Sequence, residues 1–215
     1  AEEQHWVHSQ IPGSQAWAAY NWFEVPRNLA ELVVRSQAYQ AWATRIVAEA
    51  FRRDRRMHSS AIHLFIDAWP DGWMKAILDC DRHPKAAWFV YRDVLTPLAV
   101  NLRCDRRAFF AGEPMDVEAW ICNDRNDAPP GTTLHYQLEQ DGKVLQTGST
   151  AVDVPVFDSA YVGTVRFQAP AVQQRGAVTV RLGLLDAEGR VLHDTSLVLD
   201  VFPRPAEGTL LRAAA

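Results

Sequence analysis

The stretch from Ile62 to Trp73, reading IHLFIDAWPDGW, constrains this chain more than any other. A short apolar run from Ile62 to Ile66 gives way at once to acid, proline, glycine and two tryptophans. Apolar runs of this length, bounded by turn residues, predict a parallel strand covered on both faces. Two indoles flanking Pro70-Asp71-Gly72 at the carboxyl end of such a strand predict the mouth of an α/β barrel, where that fold keeps its sites. The apolar faces of Trp69 and Trp73 suit the C–H face of a sugar ring.

The residues ahead of this strand have helical grammar. Asn28 followed by Glu31 is a capping-box-like start, with Pro26 just before it. Leu29, Leu32, Val33, Ser36, Gln40, Ala43, Ile46, Val47, Ala50 and Phe51 then recur at spacings of three and four. That pattern predicts one face of a long amphipathic helix ending near Arg52-Arg53-Asp54-Arg55-Arg56. The arginines are read as complementing the negative helix end. A strand or turn is expected at Met74 to Leu78, and a second helix over about Pro84 to Val94.

After Thr96-Pro97 the pattern changes to short alternating runs. Seven are expected: Leu98 to Arg103, Met115 to Cys122, Thr132 to Glu139, Lys143 to Thr147, Tyr161 to Gln168, Ala177 to Leu185 and Val191 to Val201. Gln140-Asp141-Gly142-Lys143 is a two-residue hairpin signal, Ala187 to Arg190 another, and Asn123 to Gly131 a longer loop. Seven short strands over roughly a hundred residues predict an immunoglobulin-like β-sandwich. Trp120, between Ala119 and Ile121 in an apolar strand, is expected in its core.

The fold class is therefore α/β plus all-β: residues 1–96 as an incomplete (β/α)8 barrel, 97–203 as the sandwich and 204–215 as a tail. A complete barrel takes about 250 residues, so the remaining strands are expected upstream or on another chain. Acid and base are mixed throughout, with a formal net charge of -4, which predicts no nucleic-acid and no membrane partner. The cysteines Cys80, Cys104 and Cys122 lack metal-ligand spacing and are expected to be reduced core thiols. His58 and His63 make no metal motif, no glycine-rich loop opens a helix, and no nucleophile elbow is present.

The order of motifs resembles a known family. Ser36-Gln37-Ala38-Tyr39-Gln40-Ala41 lies in the long helix, followed by the arginine-rich end and the strand. Asp67-Ala68-Trp69-Pro70, Gly72-Trp73 and Leu78-Asp79 come next. His83-Pro84-Lys85-Ala86-Ala87-Trp88 then leads to Tyr91-Arg92-Asp93 and Thr96-Pro97-Leu98. Over Asn28 to Val100 this is similar to the end of the catalytic barrel in family 2 glycoside hydrolases, particularly the β-mannosidase and exo-β-glucosaminidase branches. Those read roughly S-Q-x-x-Q-A, N-D-C-W-P with S-W soon after, and D-x-x-x-R-P-K-x-x-Y-Y. Here Ile66 stands where Asn is usual and Ala68 where Cys is common, which removes a polar group from the strand end.

The resemblance implies a C-terminal portion of a retaining, exo-acting β-glycosidase that needs no metal or cofactor. Its two catalytic carboxyls, about 5–5.5 Å apart in such enzymes, would lie outside this chain. The substrate-binding candidates are Trp69, Asp67 and Trp73. Trp69 is read as a platform beneath the sugar, against the alternative of a tryptophan plugging the barrel mouth. Asp67 either bonds a sugar hydroxyl or anchors Trp69 and its loop. Trp73 is a pocket wall or packing beneath it, and Asp71 closes a turn. Glu24 is weighed as a nucleophile in a self-contained enzyme, a reading that fails on barrel size. His5 and His8, near Trp6, would line the pocket if their segment is the loop after the nucleophile strand, but are read as chain-end residues; Lys85 and Arg92 are read as surface or interdomain charges. The alternative for the whole chain is a non-catalytic carbohydrate-binding or structural β-sandwich module.

Overall fold

The computed structural model describes residues 26–68 and 76–205. The chain divides into two compact units, Ala1–Thr96 and Pro97–Ala215.

In the first unit, helix α1 spans Leu29–Arg53 and helix α2 spans Ala86–Val94. Asn28 caps α1, its Oδ1 accepting from the Glu31 N–H at 2.9 Å. The Glu31 carboxylate reaches one residue further back than a capping box requires. It accepts from the Arg27 N–H at 2.8 Å and from the Arg27 guanidinium at 2.7 and 3.0 Å. The other end of α1 does more than complement a dipole. Arg52 Nη1 donates to the carbonyls of Val94 and Thr96, the latter at 2.7 Å, and so caps the last turn of α2.

One expectation for this unit is corrected. Ile62 to Ile66 is not a doubly covered strand: Ile66 makes one parallel bridge, to Leu78, and Phe65 and Ile66 are 56% and 37% exposed. Only one neighbouring segment pairs with it among the described residues, so one edge and much of its apolar surface stay open. The apolar face of α1 is likewise open. Leu32, Ala48 and Glu49 are its buried residues, whereas Val33, Ile46, Val47 and Phe51 are exposed.

Among its described residues the second unit is a β-sandwich of eight strands: β1 Leu98–Arg103, β2 Ala108–Phe110, β3 Pro114–Asn123, β4 Thr133–Gln140, β5 Lys143–Ala151, β6 Asp158–Gln168, β7 Gly176–Leu185 and β8 Val191–Phe202. One sheet runs β1-β3-β6, the other β2-β8-β7-β4-β5. The strand not anticipated is β2, three residues long and parallel to β8, too short to carry a period-two signal. The core is built by alternation. Met115, Val117, Ala119 and Ile121 of β3 join Val178, Val180, Leu182 and Leu184 of β7 in one buried cluster. The β4–β5 hairpin turns through Asp141 (φ 50) and Gly142 (φ 75), the two positive φ values that its tight turn requires.

Trp120 is a second correction. Since Ala119 and Ile121 face the core, period two turns Trp120 outward, where it is half-buried with its ring 5.4 Å from that of Tyr161. A register shift between Ala119 and Trp120 accompanies this, and the indole N–H donates to Glu118 at 2.9 Å. Of the three cysteines, all thiols, Cys122 is buried and Cys80 and Cys104 only half-buried. Two polar residues stitch the sandwich. His193 of β8 accepts the Val100 N–H of β1 at Nδ1, 3.2 Å away, which joins the two sheets. Buried Asn123 donates to the carbonyls of Asp127 and Pro155 and so secures the long loop after β3.

Candidate functional site

Three short segments lie side by side at the base of the tryptophan-bearing stretch. Residues 64–67 run parallel to 77–78: the Ile77 N–H donates to Leu64 O at 3.2 Å, Leu78 N–H to Phe65 O at 3.0 Å, and Asp67 N–H to Leu78 O at 3.1 Å. On the far edge, the Lys85 N–H donates to Ile77 O at 2.9 Å and the Asp79 N–H to His83 O at 3.0 Å. Ala76 and Ile77 in the middle are fully buried. Between Ala68 and Ala76 runs the stretch holding Trp69, Asp71 and Trp73, which lie outside the described residues, as do His5, Trp6, His8 and Glu24.

Asp67, the described member of the candidate set, is buried, and its Oδ2 accepts from Lys85 Nζ at 2.6 Å. Lys85 is therefore no surface charge: its side chain is 15% exposed, at the N-cap of α2. Burying an ammonium and a carboxylate costs both their hydration, which only a close pairing offsets. The pair joins the two outer segments across the middle one. No local pattern in the sequence announces it, since its members are 18 residues apart. Next to it, Asp79 accepts the His83 N–H at 2.8 Å, and that bond holds its carboxyl below the usual range. Arg92 remains exposed, its guanidinium 4.8 Å from the Trp88 ring centre.

Behind these segments an ionic cluster ties α1 to α2. Arg45 bonds Glu49 at 3.1 Å and Asp93 at 2.9 Å, with Arg53 a further 3.7 Å from Glu49. Burial pushes the Glu49 carboxyl up from its ordinary value despite both arginines. Along the open side of α1, a cavity of about 370 Å³ is lined by Tyr39, Thr44, Val47, Phe51, Ile62 and Tyr91 among others. Among the described residues no three His, Cys, Asp or Glu side chains come together to hold a metal ion. No helix among them is long and apolar enough to cross a membrane.

No protein-family model matches the chain, and no curated protein matches it. Solved structures do. The exo-beta-D-glucosaminidase CsxA, studied with a glucosamine-configured castanospermine and an amino-australine analogue, superimposes with a TM-score of 0.72 at 15% identity. The match covers 91% of this chain and 24% of that one. The exo-chitosanase CsxA of Amycolatopsis orientalis matches with a TM-score of 0.70 at 15% identity, over the same shares. A variant of it in complex with PNP-beta-D-glucosamine gives 0.70 at 16% identity, again over 91% and 24%. The likeness is one of fold. This chain spans about a quarter of the length of those enzymes.

Proposed function

We propose that this chain is a C-terminal portion of a retaining, exo-acting family 2-like β-glycosidase that hydrolyses terminal β-linked sugars. Residues 1–96 supply the last strand and helices of its (β/α)8 barrel, 97–203 an immunoglobulin-like sandwich and 204–215 a tail. The catalytic carboxylates lie on the remainder of the barrel, and the chain alone is inactive. The observation that carries this reading is the fold likeness, which takes in nearly all of this chain but only 24% of the exo-glucosaminidase. The open apolar flank of the first unit supports it, because Val47, Phe51, Phe65 and Ile66 are surfaces that further barrel elements would cover. The sheet order, with β1-β3-β6 facing β2-β8-β7-β4-β5, supports the immunoglobulin-like assignment.

In this reading Trp69 is the platform under the sugar, Trp73 a wall of the pocket, and Asp67 accepts from a sugar hydroxyl through Oδ1, since Lys85 occupies Oδ2. The test is hydrolysis of p-nitrophenyl β-glucosaminide, β-mannoside and β-galactoside by the polypeptide that carries this chain, with the first-formed anomer followed by NMR. Hydrolysis with retention is expected, and Trp69→Ala is expected to raise KM and lower kcat together. Inertness towards all three glycosides refutes the proposal. One observation favours the alternative of a binding module: Trp120 and Tyr161 present paired rings on the outer face of a sheet. Binding of chito-oligosaccharides that is abolished by Trp120→Ala and indifferent to Trp69→Ala would favour it instead.

A further inference from the structure

Phe157 lies in the loop between β5 and β6 with a φ of 49, a left-handed backbone that Asn and Gly adopt readily and an aromatic residue adopts only under strain. It is 69% exposed, and Val156 beside it 49%, so little burial among the described residues offsets that strain. The loop is nonetheless held firmly. Val154 is anchored in the core, Asn123 Nδ2 donates to Pro155 O at 2.7 Å, and the Phe157 N–H donates to Arg125 O at 3.1 Å. Buried Asn123 pairs in register with Leu98 at the start of β1 and with Asp158 at the start of β6. The Asp124 N–H donates to Pro97 O at 2.8 Å, so Val156 and Phe157 stand at the end of the sandwich where the chain enters it.

We propose that Val156 and Phe157 are the anchor by which the sandwich docks onto the part of the polypeptide upstream of this chain, the remainder of the barrel. This rests on the glycosidase reading, in which the fold likeness takes in only 24% of the exo-glucosaminidase and the rest of such a polypeptide reaches the sandwich through Pro97. A covalent partner tethered at the entry end is held beside this loop at high effective concentration. An aromatic side chain carried on fixed backbone suits an interface anchor, because its ordering cost is met before docking and its ring has a large apolar face to bury. The partner surface is an apolar hollow that receives the Phe157 ring and covers Val156.

The experiment compares wild type, Phe157→Asn and Val156→Thr in this chain and in the complete polypeptide that carries it. In this chain Phe157→Asn relieves the strained backbone and is expected to raise the melting temperature by about 2–4 °C, with Val156→Thr close to wild type. In the complete polypeptide, amide exchange over residues 152–158 is expected to be about tenfold slower than in this chain. Phe157→Asn is expected to erase that difference and Val156→Thr to reduce it. Equal exchange in the two wild-type proteins overturns the proposal. So does a lowered melting temperature of Phe157→Asn in this chain, which would show that the ring serves the sandwich itself. A complete polypeptide inert on all three glycosides but with the slowed, Phe157-dependent exchange overturns the glycosidase reading and leaves the docking in place.

Discussion

Arg52, in the last turn of α1, closes the last turn of α2: its Nη1 sits between the carbonyl oxygens of Val94 and Thr96, 2.7 Å from the latter. Val94 is the last residue of α2, where carbonyls have no partner within the helix, and Thr96 lies two residues beyond it. One guanidinium therefore satisfies the last carbonyl of α2 and one just past it, and fastens two helices. Hydrogen bonds to a charged group contribute about 1.5–3 kcal/mol, so Arg52→Ala is expected to destabilise the first unit by about 2 kcal/mol. Lys, a point charge without the planar fork, is expected to recover less than half of it. Denaturant unfolding followed by helical circular dichroism measures this, and a loss below about 0.5 kcal/mol would be inconsistent with the clamp.

The N-terminus of α1 makes a second, separate case. Asn28→Ala removes the acceptor for the Glu31 N–H and is expected to cost about 1 kcal/mol. The side-chain and backbone hydrogen bonds from Arg27 hold the Glu31 carboxyl at about 2, below its ordinary 4.5. A lowered folded value means that the Glu31 contribution is complete above 4.5 and disappears as the pH falls towards 2. Carboxyl chemical shifts of Glu31 read this directly, and a midpoint near 4.5 would rule out the pairing with Arg27.

What could be read from the residues alone follows the range of each interaction. Asn28, Glu31 and Asp141-Gly142 act within a few residues, so the start of α1 and the β4–β5 turn are written locally. Alternation of Val178, Val180, Leu182 and Leu184 needs only one strand to be visible. Burial of Ile62 to Ile66 is different, because it depends on neighbours on both edges and the described residues provide one. The outward turn of Trp120 required weighing its position against Ala119 and Ile121 rather than its apolar character. Around Asp67, the residue itself is singled out by its place after a short apolar run, whereas Lys85 is joined to it only by the fold.

Glu49 gives an expectation of opposite sign to Glu31. Burial raises its folded value above 4.5, so the native state holds the proton more tightly than the unfolded chain. Its favourable contribution is complete below 4.5 and is lost as the pH rises through the raised value. Glutamine keeps the shape without the charge. Melting of wild type and Glu49→Gln compared from about pH 4 to 8 is expected to show the wild type's relative advantage shrinking with pH. A difference that does not vary with pH would mean that Arg45 and Arg53 fully offset the burial.

In the sandwich, Tyr136 of β4 lies across Gly148 of β5, its cross-strand partner. A Cβ added at Gly148 would fall 2.6 Å from Tyr136 Cε2 and 2.7 Å from Cζ and Oη. The ring thus occupies the space that the missing side chain leaves, and it meets Phe167 edge-on at 6.3 Å. Gly148→Ala must push a ring that is already packed, an overpacking expected to cost about 1–3 kcal/mol. Tyr136→Leu alone is expected to destabilise as well, by uncovering the glycine and removing the contact with Phe167. In the double variant the alanine has room, so the combined loss is expected to fall below the sum of the two single losses, and the coupling energy from a double-mutant cycle measures this. Strictly additive losses would show that Tyr136 has another position open to it and that the glycine is not held there by the ring.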